Sequence, residues 1–263
     1  EGKTMVKLAA NLSVMFNEVG FMDRFELASQ NKFKAVEYLF PYDYQKDDIL
    51  NELKSHALTQ ILFDLPAGDW DEGDRGIAVD PSRKNEFKEG VHLALDYASI
   101  LKPVNLTCLV GKAPFGISNS DARQTLVENL SYAAPLTMKS GSTLLLEPIN
   151  TLDIPGYWLH NTKDALSIIK EVNHPNLKLQ YDIYHMQIME GNIISTIEKN
   201  LNVIGHVQMA DNPGRHEPGT GELNYDVILK KIGLMDYKGW IGCEYNPLEK
   251  TIDGLGWADK YLE

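Results

Sequence analysis

The sequence predicts an α/β fold, a single closed (β/α)₈ TIM barrel, from three observations. The chain has 263 residues, and a barrel of this type needs about 250. Short apolar runs alternate with helical patterns, which favours βαβ units around a parallel sheet. Eight such runs are present, and no glycine-rich phosphate-binding loop follows the first, which favours a closed barrel over an open doubly wound sheet. We expect one domain over residues 1–263, with Met5 as its natural start and residues 1–4 as a remnant before it.

The predicted strands are short runs of apolar or β-branched residues. Some, such as Leu144–Leu146, are continuously apolar, as expected for parallel strands that are buried on both faces. In chain order, the predicted strands are Val6–Ala10, Ala35–Leu39, Thr59–Phe63, Asn105–Val110, Thr143–Glu147, Leu177–Asp182, Val203–Gln208 and Trp240–Glu244.

Apolar stripes with helical spacing fill the intervals between these strands. Pro135 falls in the fourth helical pattern, where we expect a kink or an early stop. The stripes are Phe21/Phe25/Ala28, Ile193/Ile194/Ile197/Leu201 and Tyr225/Ile228/Leu229/Ile232.

Several helix ends can also be predicted from residue type. Asp80 followed by Pro81 is typical of an N-cap with proline at the first helical position. Ser120 is a second predicted N-cap. Asn224 is expected to open the last helix, and Gly233 to close it.

Charge and composition indicate which kinds of molecule the protein binds. The formal net charge is −12, without a cluster of Lys and Arg, so we expect neither nucleic acid nor a membrane surface as partner. Cys108 and Cys243 lie in apolar runs and predict buried free thiols, which suits a reducing cytoplasm. A small molecule is the expected partner. The sequence leaves the oligomeric state open, with a homo-oligomer among the expectations.

Four oxygen-bearing side chains end the last four predicted strands: Glu147, Asp182, Gln208 and Glu244. In a (β/α)₈ barrel these strand ends meet at one mouth, where active sites lie. Three carboxylates in one cavity repel one another, and a divalent cation removes that repulsion. An all-oxygen donor set suits Mg²⁺ or Mn²⁺ better than zinc. The pattern predicts a metal–carboxylate site, although any one of these acids alone is more often a cap or an ion-pair partner.

Long segments of the chain carry a family resemblance. They are AANLSVMFNE, LPAGDWDEGDRGIAVDP, LLLEPINTLDIPGYWL, LQYDIYHMQIMEGNII, IGHVQMADNPGRHEPGTGELNY and GWIGCEYNP. Together they closely resemble hydroxypyruvate isomerases, which belong to the xylose-isomerase-like barrel superfamily beside the ketohexose 3-epimerases. The resemblance spans nearly the whole chain, and its motifs in the second half are long and specific.

The resemblance implies roles for the four strand-end residues. Glu147 and Glu244 are similar to the two acid/base glutamates of the family, and they would share metal binding with Asp182 and Gln208. The position of Gln208 is usually a histidine in the epimerases. A glutamine amide oxygen is a harder and weaker ligand, so this departure bears on the identity and affinity of the metal.

Three further residues would contact substrate by the same resemblance. His185, Arg215 and Asp153 match substrate-binding positions of the epimerases, and a guanidinium fork suits a carboxylate. Arg215 lies in the long loop Asp211–Glu222, and a second long loop, Asp64–Asp80, follows strand three. The competing interpretations are a core histidine for His185, a surface ion pair for Arg215 and a structural acid for Asp153.

The implied reaction interconverts hydroxypyruvate and tartronate semialdehyde (2-hydroxy-3-oxopropanoate), within glyoxylate and carbohydrate metabolism. A related isomerase of a four-carbon keto acid (2-oxo-tetronate) or a ketose 3-epimerase is the nearest alternative. Two others come from different classes: an apurinic-site endonuclease of the same superfamily, and a non-catalytic sugar-binding barrel. The acidic chain and the glutamine at position 208 disfavour the endonuclease, which needs a histidine-rich zinc cluster.

Overall fold

Eight parallel strands form the barrel wall in the computed structural model, which describes residues 6–262. Each strand pairs with its neighbours in chain order, and the first pairs with the last, with Lys7 opposite Trp240. The closed barrel is therefore confirmed over the open sheet. The expectation for Met5 and residues 1–4 lies outside the described residues. The strands are β1 Lys7–Asn11, β2 Ala35–Glu37, β3 Thr59–Asp64, β4 Asn105–Cys108, β5 Thr143–Leu146, β6 Leu177–Asp182, β7 Ile204–Met209 and β8 Trp240–Cys243.

Helices follow the strands and surround the barrel. The unit after β6 contains two helices instead of one, and a 3₁₀ segment over Thr251–Ala258 follows β8. Among residues 6–262, no helix is both long enough and apolar enough to cross a lipid bilayer. The helices are α1 Arg24–Gln30, α2 Lys46–Ser55, α3 Lys84–Leu101, α4 Asn119–Ser140, α5 Thr162–Val172, α6 Ile183–Met189, α7 Ile193–Asn200 and α8 Tyr225–Leu234.

Several predicted helix ends differ from the structure. Asp80 does cap a turn, because its carboxylate accepts from the backbone of Ser82, but that turn is a 3₁₀ segment and α3 begins only at Lys84. The serine that caps α4 is Ser118, whose hydroxyl accepts from Asp121 N, so the prediction of Ser120 was wrong by two positions. Asn224 opens α8 as predicted.

Two helices continue past residues at which they were predicted to end. Gly233 lies inside α8, which continues to Leu234. Pro135 lies inside α4, which continues to Ser140, so an early stop there was wrong. A proline removes only one helical hydrogen bond, and the buried face of α4, which includes Leu126 and Leu130, holds the helix against the barrel.

The main core lies between the strands and the helices. Side chains alternate between the two faces of each strand, and this alternation determines which of them belong to the core. In β1, Leu8 and Ala10 belong to this core, whereas Ala9 belongs to a second, smaller cluster with Ile61 and Leu145. Successive side chains of a strand point to opposite faces, so Ala9 and its partners fill the interior of the barrel. Asn11 follows two residues after Ala9, on the same face. This alternation directs the polar strand ends described next into the barrel mouth.

Candidate active site

A cavity of about 500 Å³ opens at the carboxyl ends of the strands. Its floor is polar and its rim carries apolar side chains, among them Trp70 from the loop after β3. Phe40 packs against Trp70 with ring centroids 5.1 Å apart. The polar residues that line it are Asn11, Ser13, Asp43, Asp64, Glu147, Gln180, His185, Gln208, Arg215, Glu244 and Asn246.

Three predicted acids lie at or beside this floor, and two of them, Glu147 and Glu244, line the cavity. Glu147 directly follows β5, Asp182 is the last residue of β6, and Glu244 directly follows β8. All three are buried. One oxygen of Glu147, one of Asp182 and a ring nitrogen of His185 lie within 4.8 Å of one another. The structure thus brings the acids of β5 and β6 together with His185, and Glu244 faces the same cavity.

Burial and mutual repulsion raise the pKa of the carboxyl groups of Glu147 and Glu244. Burial, followed by the charges of Glu244, Asp182 and Asp64, raises the pKa of Glu147 well above its ordinary value. Burial raises the pKa of Glu244 to about 8, although Arg215 acts to lower it. The pKa of Asp64 is also raised, first by burial and then by Glu244. Acids poised in this way are suited to exchange protons near neutral pH.

Asp182 divides its two oxygens between different tasks. Its Oδ1 accepts from the backbone N–H groups of Tyr184 at 2.7 Å and His185 at 3.3 Å, which caps α6. Its Oδ2 is buried without a hydrogen-bond partner among residues 6–262. A buried carboxylate oxygen normally has a partner. The free Oδ2, surrounded by further carboxylates, therefore fits a divalent cation that takes oxygen ligands.

Gln208 reaches the cavity with its amide orientation fixed. Its Nε2 donates to Glu37 Oε1 at 2.8 Å, and its Oε1 accepts from Gln180 Nε2 at 2.6 Å. Gln180 in turn accepts from the hydroxyl of Thr107 at 2.6 Å. Glu37 Oε1 accepts from both Gln208 and Asn11, and this contact determines which end of the Gln208 amide turns towards Glu37. The oxygen predicted as a metal ligand carries one hydrogen bond and keeps a second lone pair.

Arg215 lies beside Glu244 at the edge of the cavity. Its Nη2 donates to Glu244 Oε2 at 3.0 Å, and its guanidinium lies 5.2 Å from the ring centre of Tyr184. Its Nε is buried without a partner among the described residues. The backbone of Arg215 is left-handed, with φ of 59°, a conformation that costs energy for a residue with a side chain and occurs often at functional sites. Arg215 thus lines the cavity, and its ion pair is with a buried glutamate of the same cavity.

Asp153 has a different position from the other predicted residues. It is exposed, and the described residues that line the cavity do not include it. Its Oδ2 accepts from Asn150 Nδ2 at 3.1 Å and from the hydroxyl of Tyr184 at 2.9 Å. Substrate contact by Asp153 stays a prediction, and the contacts that the structure shows are with Asn150 and Tyr184.

Sequence reasoning missed a buried polar group inside the barrel. The Glu37 carboxylate lies 2.6 Å from His206 Nε2 and accepts from Asn11 Nδ2 at 3.1 Å. Asn11 also donates to Glu244 Oε1 at 3.2 Å. This contact links the inner network to the cavity. Asn11, Glu37 and Asp64 are the last residues of β1, β2 and β3, but the predicted strands ended at Ala10, Leu39 and Phe63, so the strand-end test that found Glu147 did not point to them.

Comparison with known proteins gives full-length relatives. Over 98% of its length, the chain is 51% identical to the hydroxypyruvate isomerase of Escherichia coli (strain K12), all of which is covered. It is 43% identical to the 2-oxo-tetronate isomerase of Cupriavidus necator, over 98% of this chain and 99% of that protein.

A solved structure and a family model agree with this placement. The crystal structure of an AP endonuclease, family 2, from Brucella melitensis matches with a TM-score of 0.95 and 46% identity, covering 98% of this chain and 99% of that chain. Residues 25–261 match the model of the family described as xylose isomerase-like TIM barrel. The protein whose cavity is described above therefore belongs to the xylose isomerase-like TIM barrel family.

Proposed function

We propose that this protein is an isomerase that interconverts hydroxypyruvate and tartronate semialdehyde. The observation that carries the proposal is the pair Glu147 and Glu244, two buried acids with raised pKa values that line one small cavity. An aldose–ketose type isomerisation moves a proton between adjacent carbons and needs acid/base groups within reach of both. The full-length relatives named hydroxypyruvate isomerase and 2-oxo-tetronate isomerase support the same class of reaction.

In the proposed reaction, Glu244 acts as the base and Glu147 as the acid when hydroxypyruvate is the substrate. Glu244 takes a proton from the hydroxyl-bearing carbon C3, which leaves an enediolate across C2 and C3. Glu147 gives a proton to C2, the hydroxyl on C3 loses its proton, and the oxygen on C2 gains one. The substrate atoms balance, because one carbon-bound and one oxygen-bound proton have changed place. Glu244 is left protonated and Glu147 ionised, and proton exchange of each glutamate with water restores the starting forms before the next turnover. The assignment rests on Arg215, which donates to Glu244 and so favours its ionised form.

We further propose that Glu147, Asp182, Gln208 and Glu244 hold a divalent cation, Mg²⁺ or Mn²⁺. The unpartnered Oδ2 of Asp182 and the free lone pair of Gln208 Oε1 support this set. When bound, such a cation supplies charge that polarises a carbonyl group and stabilises an enediolate. Arg215 lies where its guanidinium, including the unpartnered Nε, can bind the carboxylate of the substrate. His185 would bind a substrate oxygen, as would Asp153 by resemblance.

Other expectations also remain proposals. The expectation that residues 1–263 form one domain is supported by the closed barrel of the described residues. Location in the cytoplasm is supported by Cys108 and Cys243, which are buried free thiols. A homo-oligomer stays an open expectation, and a role in glyoxylate metabolism rests on the resemblance to hydroxypyruvate isomerases.

The experiment that tests the function is proton NMR of the purified protein with hydroxypyruvate in heavy water, with and without Mg²⁺ or Mn²⁺. Growth of the tartronate semialdehyde signals, with deuterium at C2, is expected only in the presence of protein. Folded protein that converts nothing would reject hydroxypyruvate as substrate. The same assay is repeated with a four-carbon keto acid and with a ketose, and kcat/KM for each is compared with that for hydroxypyruvate.

Replacement of either glutamate tests the proposed roles. Glu147→Gln and Glu244→Gln should each lower kcat by about 10²–10⁴-fold, because a positioned acid or base contributes that much. Glu249→Gln removes an exposed glutamate close in sequence to Glu244 and should leave turnover unchanged. Near-normal turnover of either cavity variant would show that the assignment is wrong.

The AP endonuclease name of one related structure defines an alternative that the cavity disfavours. Among the described residues that line the cavity, Asp43, Asp64, Glu147 and Glu244 are acidic, and Arg215 is the one permanent cation. Such a surface repels the phosphates of a nucleic acid. An assay with DNA that contains an abasic site, with and without Mn²⁺, is expected to show no strand cleavage.

A further inference from the structure

Asn150 is a buried amide whose orientation is determined by the backbone around it. It lies three residues after Glu147 and is completely inaccessible to solvent. Its Oδ1 accepts from the backbone N–H of Leu152 at 3.0 Å and from that of Asp153 at 2.8 Å. A rotation of the amide by 180° would place its NH₂ group against these two donors. The nitrogen of Asn150 must therefore face the other way.

The nitrogen of Asn150 has two partners on that other side. Nδ2 lies 3.1 Å from Asp153 Oδ2 and 2.7 Å from His185 Nδ1. An amide nitrogen can donate but cannot accept, so Nδ1 of His185 has to accept and cannot carry a proton. All four hydrogen-bonding positions of the Asn150 amide are thereby used. The amide has no alternative arrangement that keeps these contacts.

A neutral imidazole has one proton, and Asn150 leaves it only one position. A ring whose Nδ1 accepts a hydrogen bond cannot be the doubly protonated cation, so it is neutral and its one proton lies on Nε2. Nε2 is 3.6 Å from the unpartnered Asp182 Oδ2, and the ring lines the cavity. The side of His185 that faces the site therefore presents an N–H group and no lone pair.

We propose that Asn150 is a positioning residue that holds His185 in the Nε2–H tautomer, so that His185 donates a hydrogen bond to a substrate oxygen and is excluded from the metal ligands. A ligating nitrogen needs a free lone pair. The distances would otherwise permit a Glu147–Asp182–His185 metal site. The inferred tautomer leaves only oxygen ligands, as Mg²⁺ and Mn²⁺ prefer. The part that concerns substrate rests on the proposed function, whereas the tautomer does not.

The tautomer can be measured directly by ¹⁵N NMR of protein labelled in its histidine rings. Protein without metal should give His185 an Nδ1 of the unprotonated type and an Nε2 of the protonated type, with the His185 signals assigned from their loss in His185→Asn. After Mg²⁺ is added to saturation, Nε2 should keep its proton. The reverse tautomer, or loss of the Nε2 proton when Mg²⁺ binds, would overturn the proposal. Neither readout requires turnover, so this test can fail while hydroxypyruvate is still isomerised, and the reverse.

The variant Asn150→Asp reverses the polarity at Nδ1 with little change of shape. One oxygen still accepts from the backbone of Leu152 and Asp153. The other loses the donation to Asp153 Oδ2 and, as a carboxylate oxygen, accepts from His185, so Nδ1 should become protonated. If Nε2 loses its proton, kcat for hydroxypyruvate should fall by roughly 10²-fold with little change in KM, as for the loss of a donor to developing oxyanion charge. If both nitrogens are protonated, Nε2 still donates its hydrogen bond, and kcat should be unchanged.

A matched control is Asn224→Asp, which makes the same change at the exposed cap of α8, where an aspartate oxygen can still accept from Val227 N. It should alter neither the His185 signals nor kcat. Three results would refute the role of Asn150: an unprotonated Nδ1 in Asn150→Asp, loss of the Nε2 proton with unchanged kcat, or loss of kcat with the Nε2 proton retained.

Discussion

At the scale of single residues, Glu37 shows how one buried carboxylate organises its neighbours. Nitrogen atoms of His206, Gln208 and Asn11 surround it inside the barrel. Two of these neighbours are themselves connected to the cavity, because Gln208 lines it and Asn11 binds Glu244. A change at Glu37 should therefore affect both the stability of the barrel and the geometry of the floor, although Glu37 itself is outside the cavity lining among the described residues.

Replacement of Glu37 tests this role. Glu37→Gln should lower the free energy of unfolding by about 3 kcal/mol, because removal of one member of a buried pair leaves donors without their partner. Urea unfolding followed by circular dichroism gives the value. Asp96→Asn, which breaks the exposed ion pair with Lys46, is the matched control and should cost less than about 1 kcal/mol. Equal losses in the two variants would contradict a special role for Glu37.

At the scale of elements, β8 can approach Glu37 closely only because it contains a glycine. A Cβ atom built on Gly242 would lie 2.2 Å from Glu37 Oε1. Carbon and oxygen atoms cannot approach so closely, and the Glu37 side chain is held by its other contacts. The strand that delivers Glu244 to the cavity is thereby kept in register with the inner polar network.

Gly242→Ala should consequently destabilise the protein and disturb the cavity floor. We expect a loss of about 1–3 kcal/mol, as for other groups forced into a packed interior, together with reduced turnover because Glu244 lies two residues further along. Gly256→Ala is a suitable control, since its added Cβ would have no neighbour within 4 Å among the described residues and no positive φ is involved. A thermal melt and a turnover assay of both variants decide the matter; a Gly242→Ala protein that behaves like the control would refute the steric argument.

Elements also explain how far the sequence could predict the structure. Strand β6 has the predicted bounds, because it follows Pro175 and Asn176 and ends at Asp182, which caps the next helix. The ends of β1 and β3 were predicted one residue early, and β2 was predicted two residues too long. Those small errors hid Asn11, Asp64 and Glu37. Local residue type does not determine where a ladder of hydrogen bonds stops, because the partner strand decides it.

The candidate site could be predicted where residue type and strand order suffice. Glu147 and Glu244 each follow an apolar run directly, and the closed barrel brings those ends together. The fixed amide of Gln208 and the orientation of Asn150 depend on partners 171 and 35 positions away along the chain, Glu37 and His185. No pattern within a single segment contains that information. The family resemblance names the residues of the site, whereas the orientation of their side chains comes from the fold.

At the scale of the whole molecule, the concentration of buried acids in one mouth opposes the stability of the fold. The chain carries a formal net charge of −12, and Asp64, Glu147 and Glu244 are acids whose pKa values are raised by burial. A raised pKa in the folded state means that unfolding releases protons. The stabilising effect of the protonated form is complete below the pKa of the unfolded chain, about 4 for these groups, and is lost as the pH rises through the folded value.

Protein without metal should therefore become less stable between about pH 5 and pH 8, the upper limit being the pKa of Glu244. A change of 1 kcal/mol in the free energy of unfolding shifts Tm by about 2–4 °C in a domain of this size. We expect Tm to fall by at least about 5 °C over this pH range. Scanning calorimetry at fixed ionic strength measures it. Added Mn²⁺ should raise Tm more at pH 8 than at pH 5, since ligation requires ionised carboxylates.

The variant Glu244→Gln separates this effect from the titration of surface groups. It removes one buried acid and keeps the shape of the side chain, so its Tm without metal should fall less with pH than that of the unmodified protein, and should exceed it at pH 8. Its gain in Tm from Mn²⁺ should also be smaller, because one proposed ligand is lost. If the variant and the unmodified protein showed the same dependence on pH and the same response to Mn²⁺, Glu244 would be neither a destabilising buried acid nor a metal ligand. The expected result would mean that the group proposed to carry out proton transfer lowers the stability of the fold until a cation binds.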